Sequence, residues 1–186
     1  MKREEKFIKY EKLLKEWSTK MNLVAPSTLT DIQTRHIQDS AQLAKFLPKD
    51  VKIIDLGSGA GFPGVVLAIL GWDVTCIESI GKKTTFLSAL KNELDLPNLT
   101  IINDRIEKFL SKTPVNAGDF IFTARAFAPL TKILDYTHKT KCRLFLLKGR
   151  EIQSEIDQAK TKYKFDYKLY KSETGDGYII YIFNVK

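Results

Sequence analysis

In the stretch VKIIDLGSGAGFPGVVLAIL (residues 51–70) an acid, Asp55, is followed by glycines at 57, 59, 61 and 64. A strand that ends in a glycine turn and feeds a helix brings bare backbone against a nucleotide-like ligand. Two ligand classes fit. A dinucleotide would rest its pyrophosphate on the helix N-terminus, and Gly59, Gly61 and Gly64 match the GxGxxG spacing. S-adenosylmethionine has no phosphate and carries a sulfonium and an ammonium, so an acid nearby is welcome. Asp55 is expected at the mouth of the loop, where it would repel a pyrophosphate. The loop therefore favours S-adenosylmethionine, with a nicotinamide-dependent dehydrogenase as the alternative enzyme.

Further along, Glu78 closes the apolar run WDVTCIES about 20 residues past the glycines, where an acid can accept both hydroxyls of a ribose. In INDRIEKF, Asp104 and Glu107 have capping-box spacing, and the backbone of Ile106 and Glu107 is placed to hold an adenine. Arg125 is the single charge in FIFTARAF. Its planar fork suits a methionine carboxylate or a phosphate, and the alternative is a tie between two loops. Arg35, His36 and Asp39 share one helical turn, with Arg35 and Asp39 at i,i+4. Lys148, at the end of the run RLFLLK, is a candidate phosphate or guanine contact. No Ser/His/Asp or Cys/His arrangement is apparent. Cys76 and Cys142 are the only cysteines and neither has metal-ligand company, so no metal is expected.

The elements that must position these residues follow from periodicity. Phe7, Tyr10, Leu14, Trp17 and Met21 recur at steps of three and four, which predicts a helix. Thr30 with Gln33 predicts a capping box for a second helix, with Ile37, Ala41, Ala44 and Leu47 on one face and Pro48 as its stop. From Val51 short apolar strands are predicted at 51–56, 73–78, 99–103, 119–124, 142–148, 163–170 and 177–185. Helices are predicted near 62–70, 80–93, 107–111, 129–138 and 151–162. Repeated β-α units predict a parallel sheet with ligands at its C-terminal edge. The last two strands are separated only by KSETGDG, too short for a crossover helix, so they form an antiparallel hairpin. The expected architecture is a single domain over 1–186. In it an N-terminal helical extension (1–47) caps an α/β, Rossmann-like, class I methyltransferase core (48–186). That core has a seven-stranded, mostly parallel sheet whose last strand is antiparallel.

With 186 residues, 44% of them hydrophobic, the chain can bury a real core. Thirty Lys and Arg against 22 Asp and Glu give a net charge of +8, which suits nucleic acid without demanding it. Residues 139–171 hold ten Lys or Arg and four acids, a candidate phosphate-facing strip. Tyr163, Phe165, Tyr167 and Tyr170 alternate within it as strand packing residues would. The opening MKREEKFIKY lacks a signal-peptide core and no apolar run approaches a membrane span, so a cytoplasmic protein is expected.

Five motifs occur in order: RHIQDS (35–40), DLGSGAGFPG (55–64), ESIGKKTTFL (78–87), ARAFAPL (124–130) and LLKG (146–149). Together they closely resemble the ribosomal RNA small-subunit methyltransferase G family, also called glucose-inhibited division protein B, over nearly the whole chain. The resemblance implies an S-adenosylmethionine-dependent enzyme that forms 7-methylguanosine in bacterial 16S rRNA. It implies cofactor contacts at Gly57, Phe62, Ile106, Glu107 and Arg125, and a turn at Arg35, His36 and Asp39 that roofs the pocket and touches RNA. The family pattern W-N-K-x-x-N-L-T reads WSTKMNLVA here, keeping Trp17, Asn22 and Leu23. The basic residue often found before the last strand is missing from GDGYIIYIF. Nitrogen 7 of guanine has an in-plane lone pair, so its methylation needs positioning rather than a general base. The expected partner is 16S rRNA or the 30S particle, met by a monomer. A non-catalytic RNA-binding or assembly protein on a methyltransferase scaffold is the other alternative.

Overall fold

The computed structural model describes residues 1–113 and 118–186. Its centre is a seven-stranded sheet, built from β1 (Lys52–Leu56), β2 (Val74–Glu78), β3 (Leu99–Asn103), β4 (Phe120–Arg125), β5 (Arg143–Lys148), β6 (Asp166–Lys171) and β7 (Tyr178–Phe183). The spatial order is β3-β2-β1-β4-β5-β7-β6. All neighbours are parallel except β7, which runs antiparallel to both β5 and β6. The central strands are covered on both faces, which is why they read as unbroken apolar runs rather than alternating ones.

Alternate residues of each strand feed two cores. Ile53, Val74, Cys76, Ile121, Phe145 and Ile179 face one way. They meet α1 (Arg3–Ser18), α3 (Gly64–Ile69) and α4 (Gly81–Glu93). Ile54, Ile77, Phe122, Leu144, Leu146 and Ile180 face the other. They meet α5 (Ile106–Lys112), α6 (Leu130–Thr137) and α7 (Ile152–Lys160). Strand order reverses at β1, since the chain leaves it toward β2 and returns beyond it as β4. A crevice therefore opens at the C-terminal ends of these two strands.

The N-terminal segment lies on the first face. Tyr10 and Leu14 of α1 are fully buried. Tyr10 stacks on Phe62 at 5.1 Å, and its hydroxyl donates to the Ala60 carbonyl at 2.6 Å. The second predicted helix differs from expectation. A π-helical stretch (Gln33–Gln38) leads into one α turn, α2 (Asp39–Ala41), and a 3₁₀ turn (Gln42–Lys45). No Thr30–Gln33 capping box forms. The Gln33 amide donates to Glu11 of α1 at 2.7 Å, and Asp31 accepts the Thr34 N–H at 3.2 Å. A tertiary partner on α1 has taken the group that the local cap required.

Two smaller expectations also shift. The helix after β3 is capped by Arg105, not Asp104, whose carboxylate instead takes the Arg105 N–H at 2.9 Å. The predicted strand at 163–170 begins only at Asp166, because Tyr163 is buried beside α6 with its hydroxyl donating to Asp135 at 2.6 Å.

Candidate functional site

The crevice is a cavity of about 1110 Å³. One wall is the turn after β1, with Gly57, Ser58, Gly59, Ala60 and Phe62, together with Glu78 at the end of β2 and Ile106 and Glu107 at the start of α5. Gly57 and Gly59 have φ of +67° and +57°, which allows the turn to fold back under the sheet edge. A Cβ added to Gly59 would meet nothing closer than 3.8 Å, so its bare backbone is open to close approach. Glu78 is 6% exposed, and each oxygen takes one backbone N–H: Oε2 from Gly59 at 2.9 Å and Oε1 from Ile80 at 2.8 Å. A carboxylate has about four acceptor positions, so lone pairs remain for a ligand. The first N–H groups of α5 have no partner within the helix, as in any helix N-terminus.

Two glycine-loop residues sit elsewhere than expected. Asp55 is not at the mouth of the loop; it is fully buried beneath it, off the cavity wall. Strand register sets it beside Cys76 of β2 and Thr123 of β4. Oδ1 accepts from the Thr123 hydroxyl at 3.2 Å, and Oδ2 from the Gly64 N–H at 3.2 Å. It braces the N-terminus of α3 against the sheet, and burial pushes its pKa up to about 6. A Cβ on Gly64 would come within 2.7 Å of that carboxylate and 2.6 Å of Cys76 Sγ, so glycine permits this contact. Gly61 is the second correction. It also lies off the cavity wall, turned toward Tyr10 and Val65.

The opposite rim is the polar tie between the N-terminal segment and β4. Asp39 does not pair with Arg35. Arg125 Nη1 donates to the Arg35 carbonyl at 2.8 Å and to Asp39 Oδ2 at 3.1 Å, while Nη2 donates to His36 Nδ1. Because Nδ1 accepts, the proton of the neutral ring is on Nε2, which donates to Thr28 Oγ1 at 2.7 Å. That hydroxyl in turn donates to the Ala25 carbonyl at 2.7 Å. Burial first, and then the Arg125 charge, hold the His36 pKa down at about 4. His36 also stacks on Phe62 at 5.0 Å, continuing the Tyr10–Phe62 stack. The Arg35 guanidinium is exposed on the rim with no ion pair among the described residues.

Asp39 Oδ1 extends the tie to the β6–β7 loop by accepting from Thr174 Oγ1 at 2.7 Å. Lys148 lines the cavity as expected, yet it is already engaged by Glu155 at 2.6 Å and the Ala128 carbonyl at 2.8 Å. Arg35, His36, Asp39, Gly57, Gly59, Phe62, Glu78, Ile106, Glu107, Arg125 and Lys148 thus all border one cavity. Three wall residues were not singled out from the sequence: Phe127, Tyr136 and Asp176. Phe127 lies inside ARAFAPL, and its ring covers Gly57 so closely that a Cβ there would be 2.1 Å from Cδ2.

Known proteins resemble the chain in both sequence and fold. Residues 3–175 match the family model described as rRNA small subunit methyltransferase G. A ribosomal RNA small subunit methyltransferase G of Dinoroseobacter shibae is 41% identical, over 90% of this chain and 88% of its own. One from Orientia tsutsugamushi, strain Ikeda, is 44% identical, over 92% and 85%. Among solved structures, a SAM-dependent methyltransferase from Aquifex aeolicus superposes with a TM-score of 0.60 at 14% identity, covering 92% of this chain and 97% of its own. A point mutant of MtNAS in complex with S-adenosylmethionine superposes with a TM-score of 0.61 at 12% identity, covering 97% and 75%. These structures share the fold alone, the Rossmann-like sheet of S-adenosylmethionine-dependent methyltransferases. With its sequence matched across the same elements that build the cavity, the chain belongs to the rRNA small subunit methyltransferase G family.

Proposed function

We propose that the cavity binds S-adenosylmethionine over the ends of β1, β2 and β3 and that the enzyme methylates nitrogen 7 of a guanine in 16S rRNA. One observation carries the reading: the bare glycine turn, the Glu78 carboxylate and the first turn of α5 converge on one wall of a cavity at the sheet's switch point. Glu78 accepts the ribose hydroxyls with the lone pairs its two backbone donors leave. The backbone of Ile106 and Glu107 holds the adenine edge, and Gly57 and Gly59 let the loop approach the ligand closely. Phe62 stiffens that loop from beneath through its stacks on Tyr10 and His36. Arg125 spends three N–H groups on the N-terminal segment and keeps two for the methionine carboxylate or a phosphate. Asp55 and Gly61 support the loop from behind and touch no ligand.

When bound, S-adenosylmethionine supplies an electrophilic methyl group. Nitrogen 7 already has an in-plane lone pair, so accepting that methyl would require no proton to move and no general base. The chain's task is then alignment and exclusion of water. A neutral His36, with both nitrogens engaged, suits a site that needs no base. RNA approaches the Arg35 rim, drawn by the net charge of +8. The protein acts as a monomer in the cytoplasm, on 16S rRNA or the 30S particle.

The test is retention of tritiated S-adenosylmethionine, followed by transfer to 16S rRNA. Glu78→Ala is expected to lose retention at least tenfold. Arg35→Ala is expected to retain cofactor normally and to transfer severalfold more slowly at subsaturating RNA. Wild-type transfer by Arg35→Ala under those conditions would remove Arg35 from the RNA path.

A further inference from the structure

The cavity, about 1110 Å³, extends past the cofactor wall over the ends of β4, β5 and β7. β1 and β7 are three strand spacings apart, roughly 14 Å, so the far lobe has room for a purine ring beyond the methyl group. Its wall includes Phe127, Tyr136, Lys148, Asp176 and Tyr178. The rings of Phe127 and Tyr136 lie 6.3 Å apart and tilted by 39°. Ala126, between the end of β4 and Phe127, has φ of +51°, a left-handed conformation that is costly for a non-glycine residue.

The carboxylates on this wall are unequal. Glu78 and Asp104 hold backbone N–H groups, and Asp39 holds Arg125. Glu107 stands 3.7 Å from Arg105, and Glu155 takes Lys148 and the Leu130 N–H. Asp176, exposed in the glycine-flanked loop just before β7, has no hydrogen-bond or ion-pair partner among the described residues. Its carboxylate is therefore open to a donor that enters the cavity.

We propose that Asp176 is a catalytic residue that selects guanine: its carboxylate accepts N1–H and one N2–H of a flipped-out base lying against Phe127. This rests on the reading that the cavity methylates guanine nitrogen 7. Guanine presents those two donors side by side on the edge opposite nitrogen 7, so a carboxylate at the far end turns nitrogen 7 back toward the glycine turn. Adenine presents a lone pair at N1 and is repelled. The same contact strengthens during reaction. As the N–C bond forms and the C–S bond breaks, positive charge passes to the purine, and a carboxylate on its far edge stabilises that charge where it develops. Lys148, on the same wall, is paired with Glu155 at 2.6 Å. Aromatic stacking of a splayed base is the usual mode of single-stranded RNA recognition.

The experiment uses 16S rRNA with inosine, which lacks the 2-amino group, at the position where wild-type enzyme places its label. Wild-type enzyme is expected to lose about tenfold in kcat/KM on inosine. Asp176→Asn is expected to lose about 10- to 100-fold on guanine, chiefly in kcat because the contact strengthens in the transition state. It is also expected to treat guanine and inosine alike, with unchanged cofactor affinity showing that it has folded. Wild-type kcat in Asp176→Asn, or an inosine penalty that persists in it, would overturn the assignment. Absence of any 7-methylguanosine with wild-type enzyme would overturn the functional reading beneath it, so the two failures are separable.

Discussion

Gly57 shows how little freedom the wall allows. Its φ of +67° costs an L-residue about 1–2 kcal/mol, and a Cβ there would sit 2.1 Å from the Phe127 ring. Gly57→Ala is therefore expected to weaken S-adenosylmethionine binding at least tenfold while far-ultraviolet circular dichroism stays native; calorimetric titration reads the loss. His36 and Asp55 titrate in opposite senses. With a folded pKa near 4 against 6.5 unfolded, His36 takes up its proton in the unfolded chain first, so its effect is a loss of stability as pH falls from 6.5 toward 4. Asp55, raised to about 6, binds its proton first in the folded state and adds stability as pH falls from 6 toward 3.8. Wild type relative to His36→Gln is expected to lose about 3 kcal/mol between pH 7 and pH 4, read from urea unfolding at each pH. A constant difference would show that His36 keeps its ordinary pKa. The sequence made Glu78 legible because it ends a strand at a fixed distance from a glycine turn. Asp55 was misplaced because the partners that bury it, Cys76 and Thr123, come from neighbouring strands remote in sequence.

Elements carry a different signal. The five parallel strands and their helices were readable from apolar runs and periodicity, since both faces of the sheet are covered; α3 is buried all round, while helices such as α6 and α7 bury one stripe. The stretch 33–45 was not, because its conformation answers to tertiary partners: Gln33 to Glu11, Asp39 to Arg125 and Thr174. The helix α1 reaches the cofactor wall through Tyr10, whose ring stacks on Phe62 and whose hydroxyl holds the Ala60 carbonyl. Tyr10→Phe would leave the Ala60 carbonyl without its 2.6 Å donor, at an expected cost of about 1–3 kcal/mol in unfolding free energy. Cofactor affinity should fall with it, because Ala60 belongs to the wall. Wild-type affinity in a destabilised Tyr10→Phe would confine that helix to a purely structural part.

For the molecule as a whole, five ordered motifs and a βαβ rhythm were enough to read the topology, the family and the edge of the sheet at which the cavity opens. The second lobe of the cavity was not legible. Phe127, Tyr136 and Asp176 lie on a strand end, a helix and a hairpin loop, and only the strand order β1-β4-β5-β7 brings them together. Charge gave direction without identity: a surplus of basic residues attracts any polyanion, and the acid left on the wall is what distinguishes one base from another. The central claim, methyl transfer from S-adenosylmethionine to guanine nitrogen 7, is met most directly by incubating the protein with tritiated cofactor and 16S rRNA, naked and as 30S particles. The RNA is then digested and the labelled nucleoside identified. The account predicts label in 7-methylguanosine. Measurable cofactor binding with no label in any RNA would contradict it and leave an RNA-binding or assembly protein on a methyltransferase scaffold.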